Sequence, residues 1–240
     1  MGTKFLFLST FCILLAACGP ATSSAQTSSE MYHELLYANS VAWGLGTNIS
    51  EYVTNDRDYE WYIDQYTTGS SWSTNCGPTS IEMAGLWANA DFSYTAEDAR
   101  ASYRPSGGWW YDTDIQGALT QFSIPNQSST ISSSADLVGI IDAGGIALVN
   151  PDMSQVTGET NATARAGRFY SNVTGHYLII KGYVIADSNT FFEVYDPWSV
   201  GVVYEDGTLK GKNRYYDAVS FTNSIMLWWP KVYTISPVSD

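Results

Sequence analysis

The chain changes texture near residue 145, and that break limits its possible folds more than any other feature. Before it, apolar residues recur at helical spacing. After it, short β-branched and aromatic runs alternate with Gly, Asp and Asn turns. Helices are expected over Met31 to Trp43, from Cys76 to about Ala90, over Thr95 to Tyr103, Asp112 to Phe122 and Ser134 to Asp142. Thr95, with Asp98 three residues on, comes close to a capping box, and Gly144-Gly145 stops the last helix. Strands are expected at Ile146 to Val149, Tyr177 to Ile185, Thr190 to Tyr195, Val200 to Tyr204, Ala218 to Phe221 and Trp228 to Ile235. Residues 44–60 read as irregular and polar. Helices first and strands later predict an α+β domain, an N-terminal helical part packed against a C-terminal antiparallel β-sheet. No repeat or linker divides residues 31–240, which are expected to form a single domain.

The first residues read as an address. Lys4 precedes an apolar run, Phe5 to Leu15, that is too short for a membrane span and has the build of an export signal. It ends in Leu15-Ala16-Ala17-Cys18-Gly19, which resembles the lipobox of bacterial lipoproteins. The resemblance implies removal of residues 1–17 and a lipid anchor on Cys18, at the bacterial cell envelope. The alternative is an ordinary signal cut near Ala17, giving a secreted protein. Residues 18–30 lack large apolar side chains up to Glu30 and read as a flexible tether.

Lys plus Arg number 11 against 24 Asp plus Glu, a net charge of −13. That balance argues against nucleic acid as a partner and against docking on anionic lipid through a basic patch. The sequence contains no P-loop, no zinc-protease HExxH and no GxSxG nucleophile elbow.

There are three cysteines. Cys12 falls in the export signal and Cys18 at the lipid site, so Cys76 is the sole thiol of the domain and no intradomain disulfide is possible. A free thiol outside the cytosol needs a reason: burial as a small apolar group, or chemistry.

Its neighbours favour chemistry. The string Asn75-Cys76-Gly77-Pro78-Thr79-Ser80 leads into a helical stretch. Proline is accepted in a helix's first turn, where its missing N–H would be unpaired anyway. Cys76 therefore belongs at a helix N-terminus, whose free N–H groups and dipole favour a thiolate. A nucleophile also needs a base and a group to orient that base. Of the two histidines, His33 lies in the first helix and His176 opens a strand in Gly175-His176-Tyr177-Leu178-Ile179-Ile180-Lys181-Gly182-Tyr183; His176 is the better placed. Asp196, in Tyr195-Asp196-Pro197-Trp198, ends the next strand. A hairpin turning near Asp187-Ser188-Asn189 would return it toward His176, with a bulge needed to close the register. Taken alone, Asp196 also fits an ordinary turn aspartate before proline.

NCGPTS, GHYLIIKGY and YDPW, in that order, resemble the C39-like cysteine peptidases of the papain-like group, over roughly residues 60–235. The resemblance implies a papain-like fold with Cys76 as nucleophile, His176 as general base then acid, Asp196 as its orienter and no cofactor. It also implies a glutamine that helps hold the oxyanion. Gln65 is the candidate, set further from Cys76 than is usual in the family, with residues 66–74 as an insertion. The implied protein is a surface-anchored cysteine peptidase acting on a peptide or protein substrate. Transglutaminase-like or amidase acyl transfer with the same triad, and a non-catalytic lipoprotein binding module, are the alternatives. Trp198 reads either as a shield over the His176–Asp196 bond or as a core aromatic. Trp109-Trp110-Tyr111 reads as packing before it reads as a groove wall.

Overall fold

The computed structural model describes residues 28–171 and 174–238. The export signal, Cys12 and Cys18 lie outside the described residues. Helix α1 spans Ser28–Asn39, so the last three residues of the stretch read as a tether are helical. Then come β1 (Ile49–Thr54), α2 (Cys76–Ala88), α3 (Ala96–Ser102), α4 (Asp112–Gln121), β2 (Asn126–Thr130), α5 (Ser134–Asp142), β3 (Ile146–Val149), β4 (Leu178–Ala186), β5 (Asn189–Tyr195), β6 (Arg214–Asp217), α6 (Ala218–Trp228) and β7 (Lys231–Ile235). Short 3₁₀ turns at Gln65–Thr67 and Trp72–Thr74 precede α2. Among the described residues no helix is long and apolar enough to cross a membrane.

Among the described residues seven strands form one antiparallel sheet, six of them in the order β2-β7-β3-β4-β5-β6 and β1 off this path, paired with β4. The long β4 serves two partners on one edge: β3 pairs with Leu178 to Ile180, and β1 with Gly182 to Ala186. Alternation along the strands sends side chains to opposite faces. Ile146, Leu148, Ile179 and Tyr195 join α2 and α4 in one core; Ala147, Val149, Ile180 and Val194 join α5 and α6 in the other. The expected α+β architecture is thus present, with helices on both faces of the sheet. Leu36 of α1 packs with Val184, Ala186 and Tyr215 in a smaller third cluster.

Two expected strands are not strands. Ala218 to Phe221 is the first turn of α6: the Asp217 carboxylate accepts from Ser220 N at 2.8 Å, capping a helix that buries Ala218, Phe221 and Ile225. Val200 to Tyr204 is a turn, with Val200 and Gly201 at positive φ and their N–H groups donated to the Asp64 carboxylate at 3.0 and 2.8 Å. The run from Trp228 to Ile235 divides between the end of α6 and β7. Conversely, residues 44–60 contain β1, and β2 and β6 were not expected. All five residues of β2 are exposed, so this edge strand has no apolar signature to read.

Candidate active site

Cys76 is the first residue of α2. At Gly77 beside it a Cβ would lie 3.0 Å from Trp110 Cβ and against its ring, so a larger residue would have to shift Trp110. Asn75 does not cap the helix through its side chain. It is instead clamped: its Nδ2 donates to the Thr68 carbonyl at 2.8 Å, and its Oδ1 accepts from Arg100 Nε at 2.8 Å. Buried Arg100 also donates to the carbonyls of Thr74 and Gly108, at 2.8 and 2.9 Å. One guanidinium from α3 therefore ties together the two loops that flank Cys76. Nothing in the sequence around Arg100 announces this; only its place on the face of α3 turned toward α2 could have suggested it.

His176 lies two residues before β4, its N–H held by the Pro151 carbonyl at 3.1 Å. A two-residue turn, Asp187 and Ser188, both at positive φ, joins β4 to β5. The register then shifts once, between Ile180 and Gly182, so that Tyr195 faces Ile179. This is the bulge the sequence required. Asp196 follows level with Leu178, within reach of His176, and His176 Nε2 lies 2.7 Å from Asp196 Oδ1.

Asp196 is fully buried and saturated with donors. Its Oδ1 also accepts from Trp198 N at 2.9 Å, and its Oδ2 from the hydroxyls of Tyr170 and Tyr216, each at 2.7 Å. Burial alone would raise the carboxyl's pKa, but His176 and the two tyrosines hold it below its ordinary value. Burial likewise opposes a charge on His176, yet the Asp196 carboxylate and a hydrogen bond with Cys76, whose charge adds to the effect, push the imidazole up to about 10. Cys76 and His176 are 3% and 1% exposed. Tyr170 and Tyr216 went unnoticed in the sequence because neither lies near Asp196 in the chain.

Gln65 is buried in the 3₁₀ turn at Gln65–Thr67. Its backbone N–H donates to the Pro197 carbonyl at 2.8 Å and its Nε2 to the Trp72 carbonyl at 2.7 Å, which ties the Asp196 loop to the approach of Cys76. Its Oε1 has no partner. Trp198 is half-buried, its ring 5.9 Å from that of Trp72 and 6.1 Å from that of Tyr170. Trp110 packs as expected, whereas Trp109 and Tyr111 are exposed. His33 lies elsewhere, against Tyr37 and Tyr52. A cavity of about 730 Å³ bounded by Tyr52, Asp56, Tyr62 and Lys212 includes none of Cys76, His176 and Asp196.

No family model and no curated protein matches the sequence. The fold does have counterparts among solved structures. A provisionally assigned C39-like peptidase from Bacillus anthracis matches with a TM-score of 0.53 at 13% identity, covering 80% of this chain and 100% of that one. UfSP from C. elegans gives 0.48 at 15% identity, over 80% of this chain and 35% of that one. The digestive procathepsin L2 proteinase of Tenebrio molitor larval midgut gives 0.42 at 16%, over 74% and 68%.

Proposed function

We propose that this chain, which has the papain-like fold of a C39-like peptidase, is a cysteine peptidase with Cys76, His176 and Asp196 as its triad, exported and held at the cell envelope by lipid on Cys18. The observation that carries the reading is the 2.7 Å bond from His176 to a fully buried Asp196, with Cys76 among the groups that raise the imidazole's pKa. An imidazole so held can take the proton of Cys76 and hand it to the leaving amine.

In the reaction the Cys76 sulfur attacks the amide carbonyl. The oxyanion forms at the N-terminus of α2, where the Cys76 N–H has no partner within the helix. Gln65 supplies a second donor through the amide hydrogen not given to Trp72. His176 passes its proton to the leaving amine, the C–N bond breaks, and a thioester remains on Cys76. Water, activated by the now neutral His176, releases the acid and restores the pair. Asp196 fixes the ring and stabilises its charged form.

Replacing Cys76 or His176 with Ala should abolish cleavage of a mixed peptide library while leaving the circular dichroism spectrum unchanged. Full cleavage by Cys76→Ala would refute the assignment. The burial of Cys76 favours a second reading, a binding module that keeps a peptidase fold; under it, the wild type cleaves no peptide in the library. For the anchor, radiolabelled fatty acid should be incorporated by the wild type and not by Cys18→Ala.

A further inference from the structure

We propose that the C-terminal end of α6, together with Asn150, receives the residue on the leaving-group side of the scissile bond and selects an apolar side chain there. This rests on the peptidase reading and adds a substrate preference to it.

The end of α6 is unusual. Leu227, Trp228 and Trp229 are 78%, 48% and 41% exposed, three large apolar side chains in a row. Large apolar side chains left exposed beside a candidate active site offer an interaction surface. Its position identifies the occupant. A Cβ on Gly175 would lie 2.5 Å from Trp228 Nε1 and 3.1 Å from Asn150 Oδ1, so both side chains close over the residue next to His176. The wall is built in: Asp152 N donates to Ser224 O of α6 at 3.2 Å, and the neighbouring Pro151 carbonyl holds His176. Asn150 Oδ1 is buried without a hydrogen-bond partner.

The two sides of the scissile bond differ in their neighbours. The acyl half stays on Cys76, beside Gly77 and the Trp109–Trp110 loop. The amine must meet the proton on His176, on the side where Gly175, Asn150 and Trp228 lie. Asn150 Oδ1 can accept the backbone N–H following the leaving residue, while Leu227 and Trp228 cover its side chain.

Partitioning of the acyl-enzyme tests this directly, because an amine that captures it retraces the path of the leaving group. The amine nitrogen bonds to the thioester carbon, the C–S bond breaks, and the amine proton goes to His176. A mixed set of N-acetyl dipeptide methyl esters would generate the acyl-enzyme in the presence of leucinamide, phenylalaninamide, serinamide or aspartamide, and peptide product would be measured against hydrolysis in the same tube. Leucinamide and phenylalaninamide should capture the acyl group about tenfold better than serinamide and aspartamide. The double variant Leu227→Asp/Trp228→Ala should bring that ratio to within about twofold. Asn150→Ala should lower capture by all four amides and leave the ratio in place. Cys76-dependent ester turnover with equal capture of all four amides, or an apolar preference that survives in the double variant, overturns this proposal alone. Absence of Cys76-dependent turnover overturns the peptidase reading and this proposal with it.

Discussion

Arg100 donates from Nε to the side-chain oxygen of Asn75 across 2.8 Å, so a buried guanidinium holds the residue immediately before Cys76. Arg100→Ala would strand that oxygen and the carbonyls of Thr74 and Gly108. Each buried polar group left unpaired costs about 1–3 kcal/mol, so urea denaturation should show a loss of about 3 kcal/mol or more. Peptide cleavage should fall further than stability does, because the start of α2 is no longer fixed.

Tyr170 and Tyr216 both donate to Asp196 Oδ2 and help keep its carboxyl ionised. Tyr216→Phe should therefore raise the carboxyl's pKa and move the acid limb of the pH–rate profile toward neutrality. A hydrogen bond to a charged group contributes about 1.5–3 kcal/mol, and equilibrium unfolding should show a loss in that range. An unmoved acid limb would mean that Asp196 does not govern it.

The His176–Asp196 pair also makes stability depend on pH, with opposite signs at the two ends. The imidazole is raised from 6.5 to about 10 in the folded chain, so its contribution is complete below 6.5 and is lost as pH climbs through about 10. Asp196 is lowered from 3.8, so its contribution is present above that value and is lost as pH falls through the folded one. Urea unfolding of the wild type and of His176→Gln should converge as pH rises between these limits, and parallel curves would refute the linkage.

Away from the site, Lys181 occupies the bulge of β4 with no exposure and pairs with Asp56 at 2.9 Å and Glu193 at 3.1 Å. Lys181→Met leaves two carboxylates without their cation and should cost about 3–5 kcal/mol. Adding Glu193→Gln should restore part of the loss in the same denaturation assay.

The parts of this fold that were readable in the sequence are those set by local chemistry. The Thr95–Asp98 capping box, the Gly144 stop of α5 and the proline in the first turn of α2 all act within a few residues, and all stand where they were expected. The need for a bulge between His176 and Asp196 followed from the hairpin arithmetic, although its place at Lys181 did not. What escaped depends on distant partners. Val200 to Tyr204 has strand composition but turns because Asp64, far back in the chain, takes its N–H groups. Asp217 does not read as a cap because β-branched and aromatic residues follow it within four positions. Arg100, Tyr170 and Tyr216 reach the site only through the tertiary fold.

The central claim is that Cys76 and His176 act as one charged pair, and the rate of Cys76 alkylation by iodoacetamide measures it most directly. Between pH 6 and 7 the wild-type thiol should react about tenfold or more faster than an unpaired cysteine of ordinary acidity, since the thiolate is the reactive form. His176→Ala should remove that advantage, and Asp196→Ala most of it. A wild-type rate no greater than that of a free cysteine, unchanged by either substitution, would contradict the account.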